Sequence, residues 1–255
     1  MIEVFQLPAD RKKPSRVPCA AGTTPAALQF VQNAFDLLVA SDDGLAVLVA
    51  DMQKKGLQVV VFGGWVRDRF AEFLLGRTQA SRDIDFVSHG DHPVATVFPA
   101  GATRNPFGGV GFDSSRIHID AWNLSETFLF QRHNLPVDFS ELPATADYNV
   151  NAILFQPAQF FRKPGLLDGG AGDALQKGEL DFMADEVAQP RVQAARALIL
   201  STRLELRLSD MVYRFVVDTC KIHGAMEAVQ DGIATYCPPE YRSRAFARLQ
   251  ELIDV

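Results

Sequence analysis

Hydrophobic positions change their spacing along the chain, and each spacing predicts a different element. Near the N-terminus the apolar residues follow helical spacing at Leu28, Val31, Phe35, Leu38 and Val39. Thr23–Thr24–Pro25 stands before them, with the threonine cap and early proline that are typical of a helix start. A second helix is predicted over 45–55, where Gly56 ends it. Beyond Pro190 the spacing is helical throughout, which predicts helices over 194–208, 211–223, 225–236 and 240–253.

Short apolar runs between these helices predict strands. Leu57–Phe62 contains three consecutive valines and ends at Gly63–Gly64, which indicates a buried strand that enters a tight turn. A helix is predicted to follow over 66–76. Further strands are predicted over 83–87, 117–122 and 152–155. Prolines at positions 8, 14 and 18 predict an irregular arm at the N-terminus.

The order of these elements predicts an α+β fold. Its parts are the irregular arm over 1–22, a head domain over 23–180 with a short mixed or antiparallel sheet flanked by helices, and a small helical C-terminal region over 181–255.

Composition and charge narrow the class of protein. The chain has 255 residues and a formal net charge of −6. Because nucleic-acid binders usually carry a basic surface, this acidic total argues against a long RNA or DNA acceptor. No apolar stretch approaches the ~20 residues of a transmembrane helix, and the N-terminus has no signal-peptide core, so we expect a cytoplasmic protein without a membrane partner. The scattered Cys19, Cys220 and Cys237 are expected to be reduced thiols.

A glycine pair suggests a phosphate site. Gly63 and Gly64 follow a predicted strand and open a predicted helix, where bare backbone N–H groups and a helix N-terminus favour an anion. Paired glycines after strands are also common in ordinary turns. The pair therefore indicates a phosphate site only if other residues of a catalytic site accompany it.

Acidic residues on the predicted strands supply that chemistry. Asp83 and Asp85 alternate on a strand, so both carboxylates point to the same side. Two neighbouring carboxylates repel each other unless a cation lies between them, and their oxygens suit Mg²⁺. Asp120 interrupts an apolar strand and is the best third carboxylate for a two-metal site. The alternative is an edge strand with a solvated acidic face.

Three motifs in order give a family resemblance. Gly63-Gly64-Trp65-Val66-Arg67-Asp68, Leu74-Leu75-Gly76-Arg77 and Asp83-Ile84-Asp85 resemble the G-G-x-V-R-D, L-L-G-R and D-x-D signature of class II tRNA nucleotidyltransferases and bacterial poly(A) polymerases. The resemblance implies a head of the DNA polymerase β superfamily that binds an NTP such as ATP and two Mg²⁺ ions. Asp83, Asp85 and Asp120 would be the catalytic metal ligands, and Gly63 and Gly64 would hold the triphosphate.

The same resemblance adds further nucleotide-binding residues. Asp147 and Asn151 match the later motif R-R-D-F-T-I-N-A, whose aspartate and asparagine lie beside the nucleotide, whereas its arginine pair is replaced by Thr145 and Ala146. Arg67 is a phosphate contact in one interpretation and a salt-bridge partner of Asp68 in the other. Turn formation is the alternative role for Asp147 and Asn151.

The neck departs from the family pattern. The base-reading motif E-D-x-x-R is absent, and alignment places Gln189, Pro190 and Gln193 at its reading positions.

The sequence leaves three functions open. The first is Mg²⁺-dependent transfer of NMP from an NTP to a hydroxyl of an RNA end, a small molecule or a protein. The second is RNA processing by 3′-end addition, of the CCA-adding or poly(A) polymerase type. The third is an inactive nucleotide-binding or interaction module. The preferred base and the oligomeric state are not predicted.

Overall fold

The computed structural model describes residues 3–11, 13–14, 16, 18–19, 24–78, 80–105 and 108–254. The strands in these residues are β1 (Val4–Gln6), β2 (Gln58–Phe62), β3 (Asp83–His89), β4 (Thr103–Arg104), β5 (Val110–Asp113), β6 (His118–Asn123), β7 (Ile153–Gln156), β8 (Gly165–Asp168), β9 (Glu179–Leu180), β10 (Glu186–Ala188) and β11 (Arg207–Leu208). The α-helices are α1 (Pro25–Ser41), α2 (Asp43–Lys54), α3 (Gly64–Leu75), α4 (Phe128–His133), α5 (Ala171–Lys177), α6 (Pro190–Arg203), α7 (Asp210–Cys220), α8 (Ala225–Tyr236) and α9 (Pro239–Ile253).

The chain divides into two compact units. The head unit comprises the described residues of 16–146 and 151–173. The helical unit comprises the described residues of 1–15, 147–150 and 174–255. The first residues of the chain therefore belong to the same unit as its C-terminal helices.

A seven-stranded mixed sheet forms the head unit, in the order β4-β5-β6-β3-β2-β7-β8. Strands β3 and β6 run parallel, and the other neighbours are antiparallel. The predicted α+β class, with a mixed sheet flanked by helices and a helical C-terminal region, is confirmed.

Aromatic rings fill the core on one face of this sheet. Phe35 of α1 meets the rings of Trp65, Phe86 and Phe155 at centroid distances of 6.0, 6.3 and 5.8 Å. These edge-on contacts join α1 and α3 to strands β3 and β7. The other face has a smaller buried cluster, formed by Val60, Val87, Leu124, Phe130, Leu142 and Leu154.

Helix ends in the head unit follow from local sequence. The Thr24 hydroxyl accepts the Ala27 N–H at 3.2 Å and Pro25 begins α1, so the predicted start is confirmed there, while Thr23 lies outside the described residues. Gly76 ends α3 in the left-handed region with φ of 64°, a conformation that glycine adopts without steric cost.

The helical unit corrects two sequence predictions. The arm over 1–22 was predicted to be irregular, but β1 pairs antiparallel with β10, and only a partner so distant in sequence makes it a strand. The helix predicted over 194–208 ends at Arg203, because Glu205 turns the backbone left-handed with φ of 55°. Arg207 then lies in β11, which pairs parallel with β9, and does not share a helix face with Arg196.

None of the helices in the described ranges is long and apolar enough to cross a bilayer. Cys19, Cys220 and Cys237 are buried free thiols.

Candidate active site

Strands β3 and β6 gather acidic side chains on one face of the head sheet. Their parallel register pairs Asp83 with His118 and Asp85 with Asp120. Because paired residues on neighbouring strands point to the same side, all four side chains share that face. Asp83 is exposed, and the other three are half-buried. The three aspartates chosen from the sequence are thus neighbours on one surface.

His118 connects this face to β5, the next strand. Its Nδ1 lies 2.6 Å from Asp113 Oδ1, and its Nε2 lies 3.3 Å from Asp120 Oδ2. Burial lowers the pKa of His118, but the hydrogen bond with Asp113 and the charges of Asp120, Asp113 and Asp83 together raise that pKa above its ordinary value. Burial raises the pKa of Asp120; the His118 charge opposes this rise and the Asp83 charge adds to it.

Two residues of the neighbouring hairpin shape the surroundings of Asp120. The Asn105 side chain hydrogen-bonds to Asp120 and lowers the pKa of its carboxyl. Gly111 pairs with Asp120 in the sheet, and a Cβ there would lie 3.1 Å from Asp120 Oδ1 and 3.2 Å from His118 Nε2. The missing side chain therefore leaves room for both groups.

Sequence reasoning did not assign roles to Asn105, Asp113 or His118. His118 could have been found, because it alternates with Asp120 on the same predicted strand. Asp113 and Asn105 reach the site only through the pairing of β4, β5 and β6, which the sequence did not predict.

The donor set on this face limits how it could hold a metal ion. In the part of the chain that the structure describes, no three His, Cys, Asp or Glu side chains lie close enough together to hold one ion. Mg²⁺ is commonly held by one or two carboxylates, completed by water and substrate phosphates. Asp85 and Asp120 fit Mg²⁺ in that incomplete form, with oxygen donors only.

The glycine turn stands next to these carboxylates. Phe62, the last residue of β2, pairs with Asp85, and the turn follows immediately. Gly63 has φ of 67° and donates its N–H to the Ile153 carbonyl at 3.0 Å, while Gly64 begins α3 without a side-chain cap. A Cβ on Gly63 would meet no atom within 4 Å, so the space above the turn is open.

Arg67 lies beneath this turn and is only 4% exposed. Its Nε donates to Asp68 Oδ1 at 2.8 Å, and its Nη1 donates to Asn151 Oδ1 at 2.7 Å. Asp68 Oδ2 in turn accepts the Ser81 hydroxyl at 2.9 Å. The salt bridge with Asp68 is therefore present, and the network connects the first turn of α3 to the residues just before β3 and β7.

Asp147 belongs to the helical unit, whereas Asn151 belongs to the head unit. Asp147 Oδ2 accepts hydrogen bonds from Gln193 Nε2 at 2.9 Å and Arg196 Nη1 at 3.1 Å. Gln193 is 6% exposed, and its Oε1 has no hydrogen-bond partner in the described residues. The spacing of three between Gln193 and Arg196 is the sequence signal for this contact, because it places both on one face of α6.

Comparisons with known proteins show the fold. No family model matches the sequence, and no curated protein matches it. Among solved structures, an apo CCA-adding enzyme superposes with a TM-score of 0.53 and 17% identity, covering 81% of this chain and 49% of that one. A CCA-adding enzyme in complex with CTP gives a TM-score of 0.52 and 18% identity, covering 81% of this chain and 51% of that one.

A third structure extends the likeness along the chain. The Thermotoga maritima CCA-adding enzyme complexed with tRNA gives a TM-score of 0.50 and 17% identity, covering 92% of this chain and 52% of that one. This chain thus spans about half the length of these enzymes. At such low identity the likeness shows the fold alone, which is that of these CCA-adding enzymes.

Proposed function

We propose that this chain is a nucleotidyltransferase that moves NMP from an NTP to a hydroxyl acceptor. The observation that carries the proposal is the register of β3 and β6, which pairs Asp85 with Asp120 beside the Gly63–Gly64 turn. Like-charged carboxylates held side by side repel each other, and a bound cation relieves that repulsion. A face built in this way suits an enzyme that neutralises the charge of a triphosphate.

Three carboxylates have distinct roles in the proposal. Asp85 and Asp120 would hold the Mg²⁺ ion nearest the acceptor, and Asp83 and Asp85 would hold a second one, with water and triphosphate oxygens completing each ion. Bound Mg²⁺ would supply charge neutralisation at the transferring phosphoryl group. Asp120 would also help to deprotonate the attacking hydroxyl, directly or through metal-bound water.

The glycine turn and its surroundings would hold the nucleotide. Backbone N–H groups of the open first turn of α3 would face the triphosphate, where the helix N-terminus favours negative charge. Arg67 would support this turn indirectly, by holding it in place, because its guanidinium already donates hydrogen bonds to Asp68 and Asn151. Asn151 and Asp147 remain proposed contacts to the sugar or base.

An RNA 3′ end is a second candidate acceptor. The likeness to a CCA-adding enzyme complexed with tRNA supports it. The net charge of −6 and the altered neck speak for a smaller acceptor instead. Replacement of the motif's arginine pair by Thr145 and Ala146 is the feature that favours an inactive binding module.

The test is metal-dependent transfer from each of the four α-³²P-labelled NTPs to bulk cellular RNA. Asp85→Asn and Asp120→Asn should each lower transfer about 100-fold or more, as loss of a group that stabilises transition-state charge commonly does. Asp91→Asn, an exposed aspartate in the loop after β3, is the matched control and should transfer normally.

The other outcomes separate the alternatives. Mg·NTP binding that Asp85→Asn abolishes, without any labelled RNA, would identify a transferase with a small-molecule or protein acceptor. Mg·NTP binding that Asp85→Asn and Asp120→Asn leave unchanged would identify a binding module. If wild-type protein binds no Mg·NTP, the proposal is wrong.

A further inference from the structure

An open groove of about 570 Å³ lies in the head unit between α1, α3 and the residues that precede β3 and β6. Trp65 lines it and packs against Phe35, which also contacts Phe86. The Phe86 side chain points away from the face of Asp83 and Asp85, because successive residues of β3 alternate. The groove is therefore on the opposite side of the sheet from the candidate active site.

The floor of the groove is apolar. Trp65 and Ile117 line the floor and are almost fully buried, with 4% and 5% of their surface exposed. Leu37 lines the same groove and is 71% exposed, a large apolar side chain that the fold leaves in water. An apolar ligand could therefore pack against these three side chains and cover the part of Leu37 that the fold leaves exposed.

Two arginines, Arg116 and Arg69, lie at the rim of the groove. The Arg116 side chain is exposed and forms no ion pair with any residue that the structure describes. Its backbone is fixed, because its N–H donates to the buried Asp42 carboxylate at 2.9 Å. Arg69 also lines the groove, and its Nη1 lies 3.0 Å from Glu72. An arginine with no ion-pair partner among the described residues, held beside an apolar floor in a chain with net charge −6, complements an anion with an apolar body.

We infer that this groove binds a small amphipathic anion, with an aromatic or aliphatic body against Trp65 and Ile117 and a carboxylate or phosphate on Arg116. The volume falls within the roughly 300–1,000 Å³ range of small-molecule sites, and a guanidinium matches either anion with two parallel hydrogen bonds. The inference does not depend on the proposed transferase activity, because it uses neither the carboxylates nor the glycine turn.

Isothermal titration of the full chain tests this inference. The probes are 1-naphthoate, 1-naphthyl phosphate and the uncharged 1-naphthalenemethanol. At least one anion should bind at least tenfold more tightly than the alcohol, and the better anion identifies the head group. Arg116→Gln should weaken anion binding at least tenfold and leave the alcohol unchanged. Ala34→Phe, which fills the groove, should weaken binding of all the probes that bind.

Two controls make the outcome specific. Arg104→Gln removes an exposed arginine on β4 that lines no part of the groove, and it should bind like wild type. The Asp83→Asn/Asp85→Asn double variant should also retain binding, which separates this site from the proposed active site. No binding of either anion, equal affinity for anion and alcohol, or equal losses in Arg104→Gln and Arg116→Gln would each overturn the inference.

Discussion

Asp42 is a fully buried carboxylate between α1 and α2 with both of its oxygens in use. Its Oδ1 accepts the Leu45 N–H at 3.0 Å, which caps α2. Its Oδ2 accepts the Ser114 hydroxyl at 2.7 Å and the Arg116 N–H at 2.9 Å. One side chain therefore caps a helix and fixes the turn that leads into β6.

Replacement of Asp42 by asparagine should separate these two functions. The Asn Oδ1 can still cap α2, but its amide nitrogen cannot accept the Arg116 N–H. We expect a loss of about 1–2 kcal/mol in the free energy of unfolding at pH 7, because a part-buried donor loses its hydrogen bond and the charge that this bond used is lost with it. Urea unfolding measures it, and Asp43→Asn, exposed in the first turn of the same helix, is the matched control.

The loss should also depend on pH. Burial alone would raise the pKa of Asp42, but hydrogen bonds from Ser114, Leu45 and Arg116 lower that pKa below its ordinary value. A depressed folded-state pKa stabilises the fold above the unfolded pKa of about 3.9 and ceases to do so as pH falls through the folded value. The difference between wild type and Asp42→Asn should therefore shrink below about pH 4. A difference that is constant down to pH 2 would contradict this account.

At the scale of the element, strand β5 shapes the candidate active site because its Gly111 has no side chain. Gly111 has ordinary backbone geometry, so its absent side chain matters for space alone. Gly111→Ala would press on Asp120 and His118 at 3.1–3.2 Å and force them to move by a few tenths of an ångström. We expect the His118 pKa to fall toward its ordinary value as its contact with Asp120 is disturbed.

An NMR titration of the His118 ring measures this shift directly and needs no enzymatic activity. Gly101→Ala is the control, because a Cβ there would meet no atom within 4 Å. If the ring in Gly111→Ala titrates as in wild type, β5 is not what holds His118 against Asp120.

The sequence predicts those parts of the candidate active site that lie within one strand, and not those that depend on pairing between strands. Alternation along one strand is local, so the shared side of Asp83 and Asp85 could be foreseen from the sequence. The pairing of Asp85 with Asp120 depends on two strands separated by a long segment, and only the family resemblance indicated that they lie together. The contact of Asp113 with His118 depends on the β5–β6 register, for which the sequence showed no signal.

Elsewhere the local signals were strong for helices and weak for strands. The periodicity of 225–236 predicts α8 with the bounds that the structure has. Strand β1 consists of three residues and is defined by its partner β10, so no local pattern predicts it. The end of α6 was missed because Glu205 adopts a left-handed conformation that favours glycine or asparagine, and a glutamate gives no such indication.

At the scale of the whole molecule, the described residues of 3–14, the first part of the N-terminal arm, complete the helical unit. Arg11 has a side chain that is 2% exposed, and it donates to the carbonyls of Phe182, Met183 and Ala184 at 3.1, 3.2 and 2.9 Å. It also lies 3.1 Å from the Asp185 carboxylate. Lys13 contacts the same carboxylate from an exposed position at 2.5 Å.

Two neighbouring cations of the arm should therefore differ widely in their contribution to stability. Arg11→Met keeps the apolar stem but leaves several acceptors without a donor, and we expect it to lower the free energy of unfolding by about 3 kcal/mol or more. Lys13→Met removes only an exposed ion pair, so its effect should stay within about 1 kcal/mol. Urea unfolding compares the two variants, and hydrogen exchange should show lost protection in 182–188 in Arg11→Met alone. Equal effects of both substitutions would mean that the arm is held by β1 pairing and not by the buried guanidinium.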